Sequence, residues 1–495
     1  MTTEHLDVLV IGAGISGIGA ARYLLTERPG TTFAVLEARE ASGGTWDLFR
    51  YPGIRSDSDL QTFGYEFKPW TDPKAIASAD KILAYLRETS REYGIDEHIR
   101  YQHRVLGAAW STDEARWTVQ VERGDTGERL TLTAGWLFGA TGYYDYAEGF
   151  TPEFAGRERF TGEIVHPQHW PEDLDYAGKR VVVIGSGATA VTLVPAMIEG
   201  GAEHVTMLQR TPTYIMPVPS EDKAGQPPAL GVRPRPRLRA GAAEEHPQAA
   251  GRVEVLPDLP QDRAHPHPVG EREVPPRGLR RRHALQPAVR PVGPAAVRGA
   301  RRRPVPRDPQ GQRVGGDRPH HELHRDRRAA GLRRGAWPPT SSSPRPASTS
   351  RLFGGIDISV DGTALHAPDH VAYKGMMLSG VPNLAFAIGY TNSSWTLKVG
   401  LLCEHFCRLL EHMETHGYDV CVPEAPEGMA TRPLLDFAAG YVQRALDTLP
   451  RQGDRYPWTM SMSYKEDVRL VRGGDVVDEN LTFSRATAGK VAQPA

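Results

Sequence analysis

The feature that most restricts the fold of this chain is a glycine-rich turn that occurs twice, each time between a predicted strand and a predicted helix. The first copy, Gly12-Ala13-Gly14-Ile15-Ser16-Gly17, joins an apolar strand at Asp7–Ile11 to a helical stretch. The second copy is Gly185-Ser186-Gly187-Ala188-Thr189-Ala190, again after a Val- and Ile-rich strand. Another short strand follows each helix, so both copies are βαβ units. The pattern predicts an α/β protein with two Rossmann-like dinucleotide-binding domains.

The first copy has the residues that an adenine dinucleotide requires. Gly12 permits the tight turn, Gly14 lets the backbone approach a pyrophosphate, and Gly17 allows the helix to pack closely on the strand. Glu37 ends the second strand, where its carboxylate is placed to bind a ribose diol; FAD or NAD therefore fits this site better than NADP. Thr141-Gly142, after an apolar strand, is predicted to return to the same nucleotide, although a simple strand-end turn is the alternative.

The second copy differs where its second strand ends. Ala190 replaces the third glycine, which the motif permits, and Gln209-Arg210 stands where the first copy has an acid. Arginine offers a planar fork for a phosphate group, so the sequence favours the 2′-phosphate of NADPH. A solvated charge at the end of a strand is the alternative interpretation of Arg210.

Two different nucleotides in one chain narrow the chemistry. A flavin reduced by NADPH passes its electrons to a disulfide, to an acceptor protein or to oxygen. Cys403 and Cys407 lie one turn apart on a predicted helix, which is not the Cys-X-X-Cys spacing of a redox pair, and they are better explained as small buried residues. Oxygen is therefore the favoured acceptor, and no metal site is predicted.

The composition divides the 495 residues into two unlike parts. Residues 231–350 contain 25 Arg, no Lys, 20 Pro and 11 acidic residues, and so carry a net charge of +14. The rest of the chain carries −15, and the two sum to the overall net charge of −1. With little apolar material, this stretch is predicted to be disordered or poorly packed. A basic nucleic-acid or anionic-surface module is the alternative, but aromatic residues for base stacking are lacking, and no nucleic-acid partner is expected. Three cysteines and the lack of an apolar run of roughly 18 residues favour a cytoplasmic protein without a transmembrane segment; peripheral membrane association stays open.

A specific resemblance enters between the two glycine motifs. The segment Phe160-Thr161-Gly162-Glu163-Ile164-Val165-His166-Pro167-Gln168-His169-Trp170-Pro171 resembles the FxGxxxHxxxW[P/D] fingerprint of Baeyer–Villiger monooxygenases, the class B flavoprotein monooxygenases. Phe160, Gly162, His166, Trp170 and Pro171 all match. Gly43-Gly44-Thr45-Trp46 and Tyr51–Asp57 also resemble mycobacterial members of this family. The resemblance covers about 1–222 and 351–485.

The resemblance implies that NADPH reduces FAD and that oxygen then forms a peroxyflavin, which converts a ketone to an ester or oxygenates a thio-compound. It also implies residue roles. The residues expected at FAD, in addition to the glycine turn and Glu37, are Ser16, Gly44, Thr45, Trp46, Asp47, Asp57, Val105, Thr141 and Gly142. Those expected at NADPH are Arg55, Gly185, Ser186, Gly187, Ala188, Thr189, Ala190, Gln209 and Arg210. Asp57 is the candidate catalytic residue, His166 organises the linker, and Asn392 and Trp395 are candidates for the substrate pocket. An N-hydroxylating or sulfur-oxidising monooxygenase is the remaining alternative.

The same resemblance divides the chain into four parts and exposes a gap. Residues 1–150 would begin the FAD domain, 151–222 hold the fingerprint and the start of the NADPH domain, and 351–495 complete the FAD domain and the substrate pocket. Residues 223–350 are aberrant: the family's Asp-Gln-Arg-Leu-Cys type segment, whose arginine stabilises negative charge beside the flavin, is missing. Permitted codons for Val289–Pro306, read one base later, can spell such a segment, with the arginine codon across Ala295 and Ala296. We therefore expect a frameshift there and impaired turnover by the chain as written.

Overall fold

The computed structural model describes residues 3–210 apart from 59, 75, 147 and 148, together with 215–217, 297–299, 352–435, 443 and 446–486. All of these lie within the unit that 1–225 and 291–495 form. The expectation for the Arg/Pro-rich stretch therefore falls outside the described residues, except at 297–299.

The first βαβ unit has the predicted form. Strand β1 (Glu4–Ile11) leads through the glycine turn into helix α1 (Ile15–Glu27), and strand β2 (Phe33–Leu36) then pairs with β1 in parallel. The second half of β1 and all of β2 are buried, as expected of strands with both faces covered. Helix α1 begins at the glycine turn without a side-chain cap, so its first N–H groups stay available to a ligand.

The first sheet combines this unit with a meander and with strands from the C-terminal part. Strand β6 (Arg129–Gly139) is shared: its first half pairs antiparallel with β5 (Arg116–Arg123), and all but its first residues run parallel to β1. The last residues of β6 also pair with a strand at Leu384–Phe386, which brings the C-terminal part beside the first glycine turn. The other strands of this sheet are β3 (Ile99–Arg100), β4 (His103–Ser111), β11 (Asp357–Val360), β12 (Thr363–Ala364), β13 (Ala372–Tyr373), β14 (Met377–Leu378) and β15 (Leu384–Phe386).

Apolar residues cover both faces of this sheet. One core lies between β1, α1 and the long helix α6 (Trp395–His416) and contains Trp136, Phe138 and Phe406. The other lies on the opposite face around Trp110 and Trp117, whose rings meet edge to face at 5.5 Å. Since burial of large aromatic side chains dominates core energetics, these two layers fix the position of the first glycine turn.

The second βαβ unit, strand β7 (Arg180–Ile184), helix α5 (Ala188–Glu199) and strand β8 (His204–Leu208), also matches its prediction. The two strands pair in parallel. Val182, Ile184 and Leu208 are more than half exposed, although strands of a parallel sheet are ordinarily covered on both faces. In the part of the chain that the structure describes, β7 and β8 thus keep an open apolar face.

The predicted helix that carries Cys403 and Cys407 is α6, which begins after Ser394 and ends before Gly417. The remaining described elements are short, except for α4, which has 14 residues. They are α2 (Thr45–Leu48), α3 (Leu60–Phe63), α4 (Ala79–Glu92), α7 (Tyr464–Asp467), β9 (Ile215–Pro217), β10 (Val297–Gly299), β16 (Val420–Pro423), β17 (Arg432–Pro433), β18 (Arg451–Gln452), β19 (Leu481–Ser484), the π-helix Val468–Arg472, and 3₁₀ turns at Ile95–His98, Arg157–Arg159, Pro167–His169, Leu352–Gly355 and Ala367–Asp369.

Candidate functional site: two dinucleotide-binding turns

The first glycine turn is held by contacts that leave no room for a side chain. Gly12 has φ of +104°, and a Cβ added there would lie 2.7 Å from the carbonyl oxygen of Ala140. A Cβ on Gly17 would lie 1.8 Å from the carbonyl oxygen of Gly12, so the helix packs directly on the turn. Thr141 and Gly142 follow Ala140 immediately, which brings them beside the turn. The N–H groups at the start of α1 have no side-chain cap, and this arrangement suits a pyrophosphate.

Glu37 is tied to the same turn through both carboxylate oxygens. Its Oε2 accepts a hydrogen bond from the Ala13 N–H at 2.8 Å, and its Oε1 accepts one from the Arg39 N–H at 3.0 Å. Burial raises the pKa of this carboxyl above its usual range, against the effect of the two hydrogen bonds. Val105 lies in the neighbouring strand β4, and the nearby His103 N–H donates to the Glu37 carbonyl at 2.8 Å. The carboxylate is therefore rigidly placed at the end of β2.

The Gly44–Asp47 segment forms the opposite wall of the first turn. Gly44 lies so close to Gly14 that a Cβ on Gly44 would meet the Gly14 Cα at 3.0 Å, and Thr45 shares a hydrogen bond with the hydroxyl of Tyr146 at 2.9 Å. Trp46 packs edge to face on Phe63. The Asp47 carboxylate is buried and forms ion pairs at 2.6–3.3 Å with three arginines, Arg39, Arg50 and Arg87. Sequence reasoning missed this arginine cluster because its members come from three separate segments.

The second glycine turn has the same plan but is open. The Gly185 N–H donates to the Leu208 carbonyl at 2.8 Å, which joins the turn to the end of β8. A Cβ on Gly185 or Gly187 would meet no atom within 4 Å. Helix α5 begins after Gly187 without a side-chain cap, with Thr189 as its second residue. Gln209 and Arg210 follow β8 as exposed side chains, at the strand end that the glycine turn contacts.

Residues 49–57 connect the two turns, a role the sequence did not predict. Tyr51 is buried with Ala190, Leu193 and Met197 of α5, and burial raises the pKa of its phenol. A Cβ on Gly53 would lie 2.6 Å from the carbonyl oxygen of Thr192, so the loop lies directly against α5. The backbone of Arg55 pairs with that of Ser78 in an isolated antiparallel β-bridge. The Arg55 Nε is buried without a hydrogen-bond partner among the described residues.

Asp57, the candidate catalytic residue, lies in the same segment. Its charge contributes to raising the pKa of Tyr51, and the charge of Arg55 lowers it. Arg55 and Asp57 therefore lie near the Tyr51 phenol, which packs against α5.

The fingerprint residues form the linker beside this loop. The ring of His166 caps a 3₁₀ turn by accepting a hydrogen bond from the Gln168 N–H, and it lies so close to Gly149 that a Cβ there would come within 2.1 Å. Burial lowers the pKa of His166. Phe160 is exposed and lies on Gly162. Trp170, which precedes Pro171, packs against the small core around Tyr51 and Val183.

The C-terminal part supplies a further contact to the first turn. The indole N–H of Trp395 donates to the Ser16 hydroxyl at 2.8 Å, whereas Asn392 donates to the Met462 carbonyl at 3.0 Å. The structure therefore places Trp395 at the first glycine turn and Asn392 on the neighbouring C-terminal segment. The Tyr373–Met377 turn is core: Met376 and Met377 are fully buried.

The environment of the three cysteines does not favour redox chemistry. Cys403, Cys407 and Cys421 are buried and free, and burial raises the pKa of each thiol, that of Cys407 to about 12. A buried thiol that stays protonated is a poor nucleophile. Over the described ranges, His, Cys, Asp and Glu side chains do not group as a metal site would require. Likewise, among the helices the structure describes, none has the length and apolar character that crossing a bilayer demands.

Comparisons with known proteins agree with this geometry. The family described as FMO-like, flavin-binding monooxygenase-like, matches residues 6–233. The FAD-containing monooxygenase EthA of Mycobacterium tuberculosis (strain H37Rv) is 44% identical over 513 residues, which cover 98% of this chain and 99% of EthA. The chain belongs to the FMO-like family of flavin-binding monooxygenases. The predictions of an α/β oxidoreductase, of a flavin cofactor and of monooxygenase chemistry are therefore confirmed.

Other members of the FMO-like family are similar over almost the whole length. The putative FAD-containing monooxygenase MymA of M. tuberculosis is 39% identical and covers 99% of both chains, and the probable FAD-binding monooxygenase AlmA of Acinetobacter baylyi is 38% identical over 98% of this chain and 97% of AlmA. Among solved structures, an oxidised steroid monooxygenase bound to NADP matches 43% of this chain and 40% of its own (36% identity, TM-score 0.38). A cyclohexanone-bound cyclohexanone monooxygenase matches 44% and 41% (32% identity, TM-score 0.39).

Proposed function

We propose that the chain is an FAD-, NADPH- and O2-dependent monooxygenase of the Baeyer–Villiger type. The observation that carries the proposal is the pair of uncapped glycine turns with unlike strand ends, Glu37 at the first and Arg210 at the second. The carboxylate suits the ribose diol of FAD, and the guanidinium suits the 2′-phosphate of NADPH. Bound FAD would supply the chemistry: it accepts hydride and activates oxygen.

The protein's own residues would bind and orient the two nucleotides. The start of α1, with Ser16 and the wall at Gly44, would hold the pyrophosphate of FAD, and the start of α5 would hold that of NADPH. Arg55 and Asp57, from the loop that lies on α5, would place the nicotinamide. The FxGxxxHxxxW[P/D] fingerprint supports the Baeyer–Villiger branch, with a ketone or a thio-compound as the substrate.

An experiment with two arms tests this assignment. The purified chain should bind FAD with a flavin absorbance spectrum, and it should bind 2′,5′-ADP more tightly than 5′-AMP. In Arg210→Gln the ratio of the affinities for 2′,5′-ADP and 5′-AMP should fall about tenfold or more, since charge-assisted phosphate contacts contribute about 1.5–3 kcal/mol. Arg180→Gln is the matched control, because Arg180 is exposed at the start of β7, and the glycine turn follows the end of that strand. Equal affinity for both adenine nucleotides in the unaltered chain contradicts the NADPH assignment.

The substrate class needs a separate measurement. Oxygen consumption with NADPH, although slow in the chain as written, should rise on addition of a ketone or a thioether from a graded panel, and the ketone product should be an ester. Formation of hydroxylamines from amines, with no response to ketones or thioethers, would favour the N-hydroxylating branch instead.

We also propose that residues 223–350 are the product of a compensated frameshift and that turnover by the chain as written is impaired. The open apolar face of β7 and β8 supports this, because the remainder of a dinucleotide-binding domain normally covers it. The match also extends over 97–99% of the length of the relatives EthA and AlmA. This supports the proposal, because a compensated frameshift changes the residues of a segment and keeps its length. Sequencing the gene decides the matter: if no frame across 223–350 encodes the Asp-Gln-Arg-Leu-Cys type segment, the proposal is wrong.

A further inference from the structure

Aromatic side chains connect the starts of the two nucleotide-binding helices. Ser16, the second residue of α1, accepts a hydrogen bond from the indole N–H of Trp395. Tyr51 is buried with Ala190 and Leu193, near the start of α5. Each helix start is therefore contacted by an aromatic residue from elsewhere in the chain.

The two aromatic residues at the ends are joined by three others in unbroken contact. Trp395 stacks on Tyr143 with ring centroids 5.5 Å apart, and Tyr143 lies 4.5 Å from Tyr144. Tyr144 meets Phe49 edge to face at 6.2 Å, and Phe49 meets Tyr51 in the same way at 6.0 Å. These spacings lie within the range of favourable aromatic pairs. We call Trp395, Tyr143, Tyr144, Phe49 and Tyr51 the aromatic bridge.

We propose that the aromatic bridge couples the two sites, so that binding of FAD at the first turn orders the second turn for NADPH. Its members are positioning residues: they set where α5 begins relative to α1, and thereby the separation of the two nucleotides. The inference rests on the proposed function. Two sites are energetically coupled when both change the arrangement of packed residues that connect them. The aromatic bridge can act in this way, because a packed ring cannot move without displacing its neighbours.

The first test uses hydrogen exchange on the full-length chain with and without FAD. FAD should slow amide exchange at 15–19 and also, by about fivefold or more, at 188–192. Phe49→Leu, which opens the middle of the bridge, should keep the effect at 15–19 and lose it at 188–192. Phe49→Tyr should restore it. Phe67→Leu, a matched change in an aromatic pair outside the bridge (Tyr65–Phe67, 4.7 Å), should leave both effects in place.

The possible results separate the two proposals. Protection at 15–19 without protection at 188–192 in the unaltered chain overturns the bridge and leaves the FAD assignment standing. Equal loss at 188–192 in Phe49→Leu and Phe67→Leu also overturns the bridge, because the effect would then be general loosening. Failure of FAD to protect either turn contradicts the FAD assignment and the bridge together.

A reciprocal titration gives a second readout. If the sites are coupled, FAD should tighten binding of 2′,5′-ADP by the same factor by which 2′,5′-ADP tightens binding of FAD, about fivefold or more. In Phe49→Leu both factors should fall towards one. Unequal factors, or factors unchanged in Phe49→Leu, are incompatible with coupling through the bridge.

Discussion

At the scale of single residues, the carboxylate of Glu37 is held in place at the first site by hydrogen bonds to both of its oxygens. Each oxygen of the carboxylate accepts one backbone N–H, from Ala13 or Arg39, and the remaining lone pairs can accept hydrogen bonds from a ribose diol. Its spacing after the turn made it predictable. The ion pair between Arg87 and Asp47 and the packing of Tyr51 on α5 were not predictable, because their partners are distant in the sequence.

The first prediction concerns the charge on Glu37. Glu37→Gln loses one acceptor oxygen and the charge, so the Kd for FAD should rise about tenfold or more, in line with about 1.5–3 kcal/mol for a hydrogen bond to a charged group. Flavin fluorescence quenching measures this Kd. Glu40→Gln, an exposed neighbour, should leave it unchanged. An unaltered Kd in Glu37→Gln would remove Glu37 from the site.

The second prediction follows from the raised pKa of Glu37. The carboxylate form is the one that accepts the ribose hydroxyls, so FAD affinity should be complete at neutral pH and fall as the pH drops to the pKa, starting higher than for an ordinary glutamate. The stability of the folded chain without FAD depends on pH in the opposite direction. Because the pKa of Glu37 is raised in the folded state, Glu37 favours folding more as the pH falls. Titrations between pH 5 and 8 should show the loss of affinity in the unaltered chain and a flat profile in Glu37→Gln. A matching slope in both proteins would assign the titration to another group.

At the scale of elements, the two glycine turns have the same sequence pattern and different packing. Strand and helix bounds followed from the apolar runs and glycines because those signals are local. The tight contact at Gly17 and the open space at Gly187 did not follow, since the atoms that occupy or leave that space come from the tertiary arrangement.

The third prediction compares alanine at these two glycines. Gly17→Ala should prevent FAD binding and destabilise the fold, because its Cβ would overlap the Gly12 carbonyl oxygen. Gly187→Ala should leave the Tm unchanged, since its Cβ meets nothing within 4 Å, and should weaken 2′,5′-ADP binding by occupying the space for the pyrophosphate. Calorimetry and nucleotide titration of both variants provide the check. Unimpaired 2′,5′-ADP binding by Gly187→Ala would place the nucleotide elsewhere.

The fourth prediction concerns the attachment of the C-terminal segment to helix α6. Lys398 is buried, and its Nζ lies 2.9 Å from the Asp467 carboxylate, which also accepts the hydroxyl of Tyr390 at 2.6 Å. Lys398→Met leaves that carboxylate buried without its cation and should cost about 3–5 kcal/mol in the free energy of unfolding. Urea denaturation measures it, and Lys465→Met on the exposed side of α7 should change it by less than about 0.5 kcal/mol. Similar values for the two variants would mean that the pair contributes nothing beyond packing.

At the scale of the whole molecule, the near-neutral charge results from two opposite parts. The acidic part contains all the described residues except 297–299, whereas the Arg/Pro-rich stretch carries +14. Sequence composition distinguished these parts directly. The exposed side chains of Val182, Ile184 and Leu208 add a structural reason to regard the second dinucleotide domain as incomplete.

The fifth prediction compares the chain as written with a version in which 223–350 are restored to the other frames. The restored protein should oxidise NADPH in the presence of a ketone at least about a hundredfold faster, since loss of one preorganised charge-stabilising group costs about 10²–10³ in rate. Both proteins should bind FAD with similar affinity, because the first site lies outside the altered stretch. Equal rates of substrate-dependent NADPH oxidation would show that the stretch is functional as it stands.

The order of residues along the chain was sufficient to identify both βαβ units, their unlike strand ends and the monooxygenase fingerprint. Each of these depends on spacing within about one supersecondary unit, where backbone hydrogen bonding and glycine conformation are set by neighbours in the sequence. The contacts of Trp395 with Ser16 and of Tyr51 with α5 could be seen only in the folded protein. They join residues far apart in the chain, and packing of the sheet, α6 and α5 selects them from many pairs that the sequence alone allows.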